Sequence, residues 1–278
     1  MDDVLVLWDI DGTLLNADGV GRDLYDVVFL QLFGRSLSAY APMAGRTDRA
    51  IILETLSLAG VDEPRRYVDP FIAGLVEHAS SVRSAVADRG HALPGAAAVL
   101  ATLAAARTLG SLAAPVPAQL VAAPTATPMA ADTANPADGA GRAGGAADDG
   151  AGRIHQSVLT GNIRSVAEVK LAALGLREWL DLCIGAYGDD HEDRTELVEV
   201  ARRRAAAVHG RSAAVFGGTA TVVIGDTPLD ISAALAAGAR AVGVATGSHS
   251  ADDLAMAGAD AVLPDLTDTA AVLRALLP

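Results

Sequence analysis

The run VLVLWDIDGT at residues 4–13 decides how the chain folds. An apolar stretch leads straight into Asp9 and Asp11. Residues i and i+2 of an extended chain share a face, so the two carboxylates emerge together at the C-terminal end of a buried strand, and Gly12 turns the chain away. A second apolar run, Thr221 to Ile224, leads in the same way into GDTPLD at 225–230, which carries Asp226 and Asp230. Open α/β sheets bind ligands beyond the carboxyl ends of their strands, so both acidic loops are expected at one site.

Outward from these runs the pattern alternates. Strands are expected at Val4–Trp8, Ile154–Leu159, Leu182–Gly185, Thr221–Gly225, Ala241–Ala245 and Ala261–Leu263, with helices such as Ser165–Leu174, Glu196–Val208 and Ile231–Ala237 between them. Right-handed crossovers then give an α/β fold, a doubly wound and mostly parallel Rossmann-like sheet. Residues 16–93 show no convincing strand but do show helical spacing, as at Leu24, Val27, Val28, Gln31 and Leu32, or at Ile51, Ile52, Thr55 and Leu56. They read as an all-helical cap inserted after the first acidic loop, with residues 1–15 and 94–278 as the α/β core. Residues 110–152 are dominated by Ala, Gly, Pro, Thr and Asp and cannot bury enough apolar surface to offset ordering entropy. They are expected to form a disordered, dispensable insertion.

Composition narrows the function classes. A net charge of -13 without a run of Lys or Arg lacks the electrostatic footprint of a nucleic-acid binder. The chain opens Met-Asp-Asp and enters a strand without the flanks of a signal peptide, so a cytoplasmic location is expected. The longest uncharged stretch, 108–131, is broken by four prolines, so no membrane association is expected. Cys183, the only cysteine, allows no internal disulfide and reads as a buried small hydrophobe; the six histidines lack ligand-like spacing.

The acidic loops suit phosphoryl transfer. Asp9, at the strand end, is the candidate nucleophile, and Asp11 can protonate a leaving oxygen and later take a proton from water. Magnesium takes oxygen ligands, so Asp9, Asp11 and Asp226 are candidate metal residues, with Asp230 binding or bracing one helical turn later. Thr160, followed by Gly161 and Asn162, ends another apolar strand, where a hydroxyl and backbone N–H groups can hold phosphoryl oxygens. Two residues compete for the cationic role. Lys170 is the only lysine among 21 basic residues but stands roughly 12 Å along its helix from Thr160, whereas Arg194 sits in a loop expected on the same face as Asp9.

The ordered set Asp9-x-Asp11-Gly-Thr, Thr160-Gly-Asn162, a downstream Lys or Arg and Gly225-Asp226-x-x-x-Asp230 resembles the haloacid dehalogenase-like hydrolase superfamily, and within it phosphoglycolate-phosphatase-like members with a helical cap. Ala44-Gly-Arg-Thr-Asp48 and the stretch from Ala186 to Arg194 are similar to segments of those phosphatases. The resemblance implies an aspartyl-phosphate intermediate on Asp9, acid–base work by Asp11, a phosphate ligand in Thr160, and magnesium on Asp9, the Asp11 backbone carbonyl and Asp226 with help from Asp230. Arg46 is a candidate cap contact to a substrate anion, a cap-internal salt bridge being the alternative. The expected activity is magnesium-dependent hydrolysis of a small phosphate monoester. A sugar-phosphate mutase and a non-catalytic binding protein with the same fold are the alternatives.

Overall fold

The computed structural model describes residues 3–106 and 152–277. Apart from Gly152, the segment 110–152 expected to be a disordered insertion lies outside the described residues.

Five strands form one parallel sheet: β1 (Val4–Trp8), β4 (Ile154–Val158), β5 (Thr221–Gly225), β6 (Arg240–Val244) and β7 (Ala261–Leu263), in the order β4-β1-β5-β6-β7. The first strand is central. It pairs Trp8 with Val158 on one side and with Ile224 on the other, so the loops after β1, β4 and β5 leave the sheet side by side. The strand order reverses direction at β1, which is where this topology opens a crevice. β1 and β5 are buried at every residue because helices cover both faces, which explains their unbroken apolar sequence. Val4, Val6 and Trp8 join one core layer with α5 (Ala96–Ala106), α6 (Arg164–Ala173) and α10 (Thr269–Leu276), and this layer runs on into the helices of 20–89. Leu5 and Leu7 face the other layer, made with α7 (Thr195–His209), α8 (Pro228–Ala236) and α9 (Ala251–Met256).

Between β1 and α5 the chain is helical: α1 (Val20–Phe33), α2 (Asp48–Leu58), α3 (Val68–His78) and α4 (Arg83–Arg89). The inserted helical cap is therefore present. Two details correct the sequence reading. A short antiparallel ladder of β2 (Leu15–Asn16) with β3 (His91–Ala92) ties the chain's exit to its return, a pairing too brief for periodicity to show. On α1 the buried face is Val20, Leu24, Tyr25, Val28 and Phe29, while Val27 and Leu32 are exposed; the Ile51, Ile52, Thr55, Leu56 face of α2 is buried as expected.

The strand expected at Leu182–Gly185 is a turn. Asp181 accepts from the Cys183 amide, and pairing shrinks to one parallel bridge between Leu159 and Ala186 at the sheet edge. In that turn Cys183 points outward and is exposed, not buried; its apolar neighbours Leu182 and Ile184 take the interior. The other expected strands and helices are present, with ends shifted by at most a few residues.

Candidate active site

The loops that follow β1, β4 and β5 converge as the register requires. Asp9, Asp11, Thr160, Gly161, Asn162, Lys170, Arg194, Arg46 and Asp226 all line one cavity of about 380 Å³ between the sheet and the cap. Asp230 lies directly behind it and is fully buried.

The amide of Asp9 still bonds to Ile224 O at 2.8 Å, which fixes the side chain at the strand end. Gly12, at φ 84°, then turns the chain, and a Cβ there would stand 2.4 Å from Asp226 Oδ2. Gly247 borders the same oxygen from the loop after β6, where a Cβ would approach within 1.7 Å. One carboxylate oxygen from each of Asp9, Asp226 and Asp230 lies within 4.8 Å of the others. Arg194 Nη2 donates to Asp9 Oδ1 at 2.9 Å and to Asp230 Oδ1 at 2.5 Å, and these three groups are buried, as is Asp226. Asp226 Oδ1 accepts from the Thr13 hydroxyl at 3.2 Å.

Asp230 is fully committed. Its second oxygen accepts from the Thr227 amide at 3.0 Å and hydroxyl at 2.7 Å, closing a capping box at the start of α8. Its carboxylate thus braces Arg194 and the helix. Among the described residues Asp9 Oδ2 and Asp226 Oδ2 have no hydrogen-bond partner. When fully ionised, the three buried carboxylates carry two more negative charges than the one guanidinium offsets, the charge of one divalent cation. With two free oxygens and two glycines that keep side chains out of the space beside them, this donor set fits a hard divalent cation such as magnesium. The Asp11 side chain stands outside that group of three.

Electrostatics follow from the crowding. Burial, then the neighbouring Asp230 and Asp226 charges, push the Asp9 carboxyl well above the usual range against the pull of Arg194. Burial and the Asp230 charge push Asp226 up to about 7. Burial works against the Arg194 guanidinium, but Asp230 and Asp9 more than offset it and leave its pKa raised.

Asp11 belongs to a second constellation. Lys170 Nζ donates to its two carboxylate oxygens at 2.8 and 2.7 Å and to Asn162 Oδ1 at 2.8 Å, and Asn162 Nδ2 donates to Asp11 Oδ2 at 2.6 Å. The helical distance between Thr160 and Lys170 is spanned by a long side chain that is 4% exposed. The competition between Lys170 and Arg194 thus resolves into a division: the lysine serves Asp11, the arginine Asp9 and Asp230. Thr160 Oγ1 accepts from Asn162 Nδ2 at 2.9 Å and from the Asn162 amide at 3.2 Å, and its proton is left to donate. The amides expected to open a helix here are taken: Ile163 N donates to Asp48 Oδ2 at 2.8 Å and Arg164 N to Asp189 Oδ1 at 3.0 Å. The Gly161 N–H is the free amide of this loop among the described residues.

Arg46 takes the alternative role, a salt bridge within the cap to Glu54 at 2.7 Å, while the residue still lines the cavity. Sequence reasoning missed Tyr25, Asp48 as a bonded residue, Thr227 and Gly247. Their roles come from contacts with residues far along the chain, which no local pattern shows.

A parallel sheet that gathers acidic loops at its reversal point beneath an inserted helical cap defines a capped α/β fold. Residues 197–269 match a HAD-hydrolase-like family model. This match agrees with the resemblance read from the motifs and supports a hydrolase of the haloacid dehalogenase-like kind. Among solved structures it is similar to a predicted phosphatase from Clostridium acetobutylicum, at 15% identity with a TM-score of 0.57, covering 99% of this chain and 100% of that one. It is also similar to a protein from Bacteroides vulgatus provisionally described as a beta-phosphoglucomutase, at 16% identity and TM-score 0.56, covering 99% and 89%. A protein from Lactobacillus plantarum provisionally described as a phosphoglycolate phosphatase matches at 14% identity and TM-score 0.55, covering 99% and 100%. At these identities the likeness speaks for the fold. No curated protein matches the sequence. Among the described residues no helix is long and apolar enough to cross a membrane.

Proposed function

We propose that the enzyme is a magnesium-dependent phosphatase that hydrolyses a small phosphate monoester through an aspartyl-phosphate on Asp9, with residues 16–93 as a cap over a core of residues 1–15 and 94–278. The observation that carries this reading is the pairing of two constellations in one cavity: Asp9 held by Arg194 at 2.9 Å, and Asp11 held by Lys170 at 2.7 Å.

In the first step a carboxylate oxygen of Asp9 attacks phosphorus. The bond from phosphorus to the ester oxygen breaks, and that oxygen leaves with a proton from Asp11. In the second step Asp11 takes a proton from water, whose oxygen attacks phosphorus; the bond to Asp9 breaks and inorganic phosphate is released. Arg194 keeps Asp9 turned toward the cavity, and Lys170 with Asn162 holds Asp11 there. The Thr160 hydroxyl and the Gly161 N–H are placed to donate to phosphoryl oxygens. Asp9 and Asp226, with the Asp11 backbone carbonyl and Asp230 behind, would hold magnesium, which offsets charge on the phosphoryl oxygens and the crowded carboxylates.

The test is phosphate release from a panel of small phosphate esters, with and without magnesium, by wild type and Asp9→Asn. Magnesium-dependent release that the variant loses is the expected result. Release by Asp9→Asn at the wild-type rate would remove the covalent scheme. An isomerised ester without free phosphate would instead make the enzyme a mutase.

A further inference from the structure

The loop that carries Asp48 is the place where cap and core meet backbone to backbone. Asp48 N donates to Gly161 O at 2.7 Å, and Arg49 N to Gly188 O at 3.4 Å. The approach leaves no room for a Cβ: one on Gly161 would stand 1.8 Å from Arg46 O, and one on Gly188 would stand 1.7 Å from Gly161 O. Thr47, the preceding residue, donates its hydroxyl to Glu192 O at 2.6 Å, adding a third attachment to the core.

The side chain of Asp48 completes the junction. Oδ1 accepts from the Tyr25 hydroxyl of α1 at 2.7 Å, and Oδ2 accepts from the Ile163 amide at 2.8 Å. One carboxylate therefore joins a cap helix lining the cavity to the loop that bears Thr160, Gly161 and Asn162. Asn162 in turn bonds Asp11. The Asp48 side chain bonds none of the side chains assigned above to chemistry or metal, yet its bond to Ile163 N and the peptide link to Asn162 connect it to Asp11.

We propose, resting on the phosphatase reading above, that Asp48 is a positioning residue: it latches the closed cap and sets the shape of the Thr160–Asn162 loop, so that cap closure and the placing of Asp11 are one event. A carboxylate suits this place because both partners are donors. An amide offers one acceptor and an N–H, so Asp48→Asn keeps the Ile163 bond only by turning its N–H toward the Tyr25 hydroxyl, and it exchanges two charge-assisted bonds for weaker neutral ones at almost constant volume. Tyr25 acts through the same carboxylate, orienting it from the cap side.

The test uses the full-length protein with magnesium, p-nitrophenyl phosphate as substrate, and assays well below the melting temperature of each variant. Asp48→Asn is expected to lower kcat at least 10-fold, because the loop that holds Asp11 loosens, with a smaller change in KM. Tyr25→Phe is expected to lower kcat about threefold and to add almost nothing in the Asp48→Asn background. Hydrogen exchange of a peptide spanning residues 160–165 is expected to speed up in Asp48→Asn, whether or not the substrate is the right one. A lower melting temperature with unchanged kcat, or fully additive effects of the two substitutions, would overturn the proposal. If Asp48→Asn does not fold, Tyr25→Phe alone decides, through its kcat and the same peptide's exchange. Absence of turnover in wild type would count against the phosphatase reading, whereas unchanged exchange at 160–165 would count against the latch.

Discussion

Replacing Asp226 by Asn should stabilise the protein once divalent cations are removed. Burial and the nearby Asp230 charge push the Asp226 carboxyl from 3.8 up to about 7. Between those values the folded protein keeps a proton that the unfolded chain has already released. Stability contributed at this site is therefore present below the unfolded value and falls as pH rises through the folded one. Three pH units at 1.36 kcal/mol each put the loss at about 4 kcal/mol by pH 8. Asn has no charge to lose, and its amide oxygen can still accept from Thr13. In EDTA at pH 8 the variant should melt about 8 to 16 °C above wild type, using 2–4 °C per kcal/mol for a chain of this size. At pH 4.5, where Asp226 is protonated in the fold, the gap should shrink to about 1 kcal/mol. Adding magnesium at pH 8 should raise the wild-type melting temperature and leave the variant's unchanged. The assay is thermal unfolding followed by fluorescence or circular dichroism at both pH values. Equal melting temperatures for the two proteins in EDTA at pH 8 would refute the reasoning, since the crowded carboxylates would then carry no unbalanced charge.

Arg194→Met should destabilise the protein by about 3–5 kcal/mol, because it strands Asp9 and Asp230 as buried, unpaired carboxylates; denaturant unfolding at pH 8 measures this, and a loss under 1 kcal/mol contradicts it. Lys170→Met removes the ammonium from Asp11 at similar length and should lower kcat for phosphate release about 100-fold, so an unchanged kcat would separate Lys170 from the chemistry. Gly247→Ala should leave a folded protein that magnesium no longer stabilises, since its Cβ would intrude within 1.7 Å of Asp226 Oδ2; a magnesium-dependent rise in melting temperature equal to that of wild type counts against it.

The parallel sheet was legible because its inner strands β1 and β5 are buried on both faces and read as short apolar runs, each followed by an acidic loop. The Leu182–Gly185 segment has the same apolar look, but at the sheet edge its backbone turns on Asp181 and pairs through Ala186 alone. Composition could not have shown this, because edge pairing depends on what a neighbouring strand offers. Lys170 and Arg194 were both found as candidates. Their division of labour was not readable, since it depends on which carboxylate each long side chain reaches. Asp230 illustrates the same limit: its motif allows both a metal site and a helix cap, and its contacts show a carboxylate occupied by Thr227 and Arg194. Asp48 was visible only as part of a family-like stretch, because its partners Tyr25 and Ile163 stand far from it in sequence.

The central place of β1 also sets a timetable for synthesis. Leu5 pairs with His155 on one edge and Thr221 on the other, so the strand that bears the nucleophile candidate is made long before either neighbour exists. At about 5–20 residues per second, the interval from Leu5 to His155 lasts about 8–30 s. During that time an apolar segment with two open edges must be shielded by the nascent helices or by chaperones, which makes slow, long-range pairing the stage at which this chain is most exposed to aggregation.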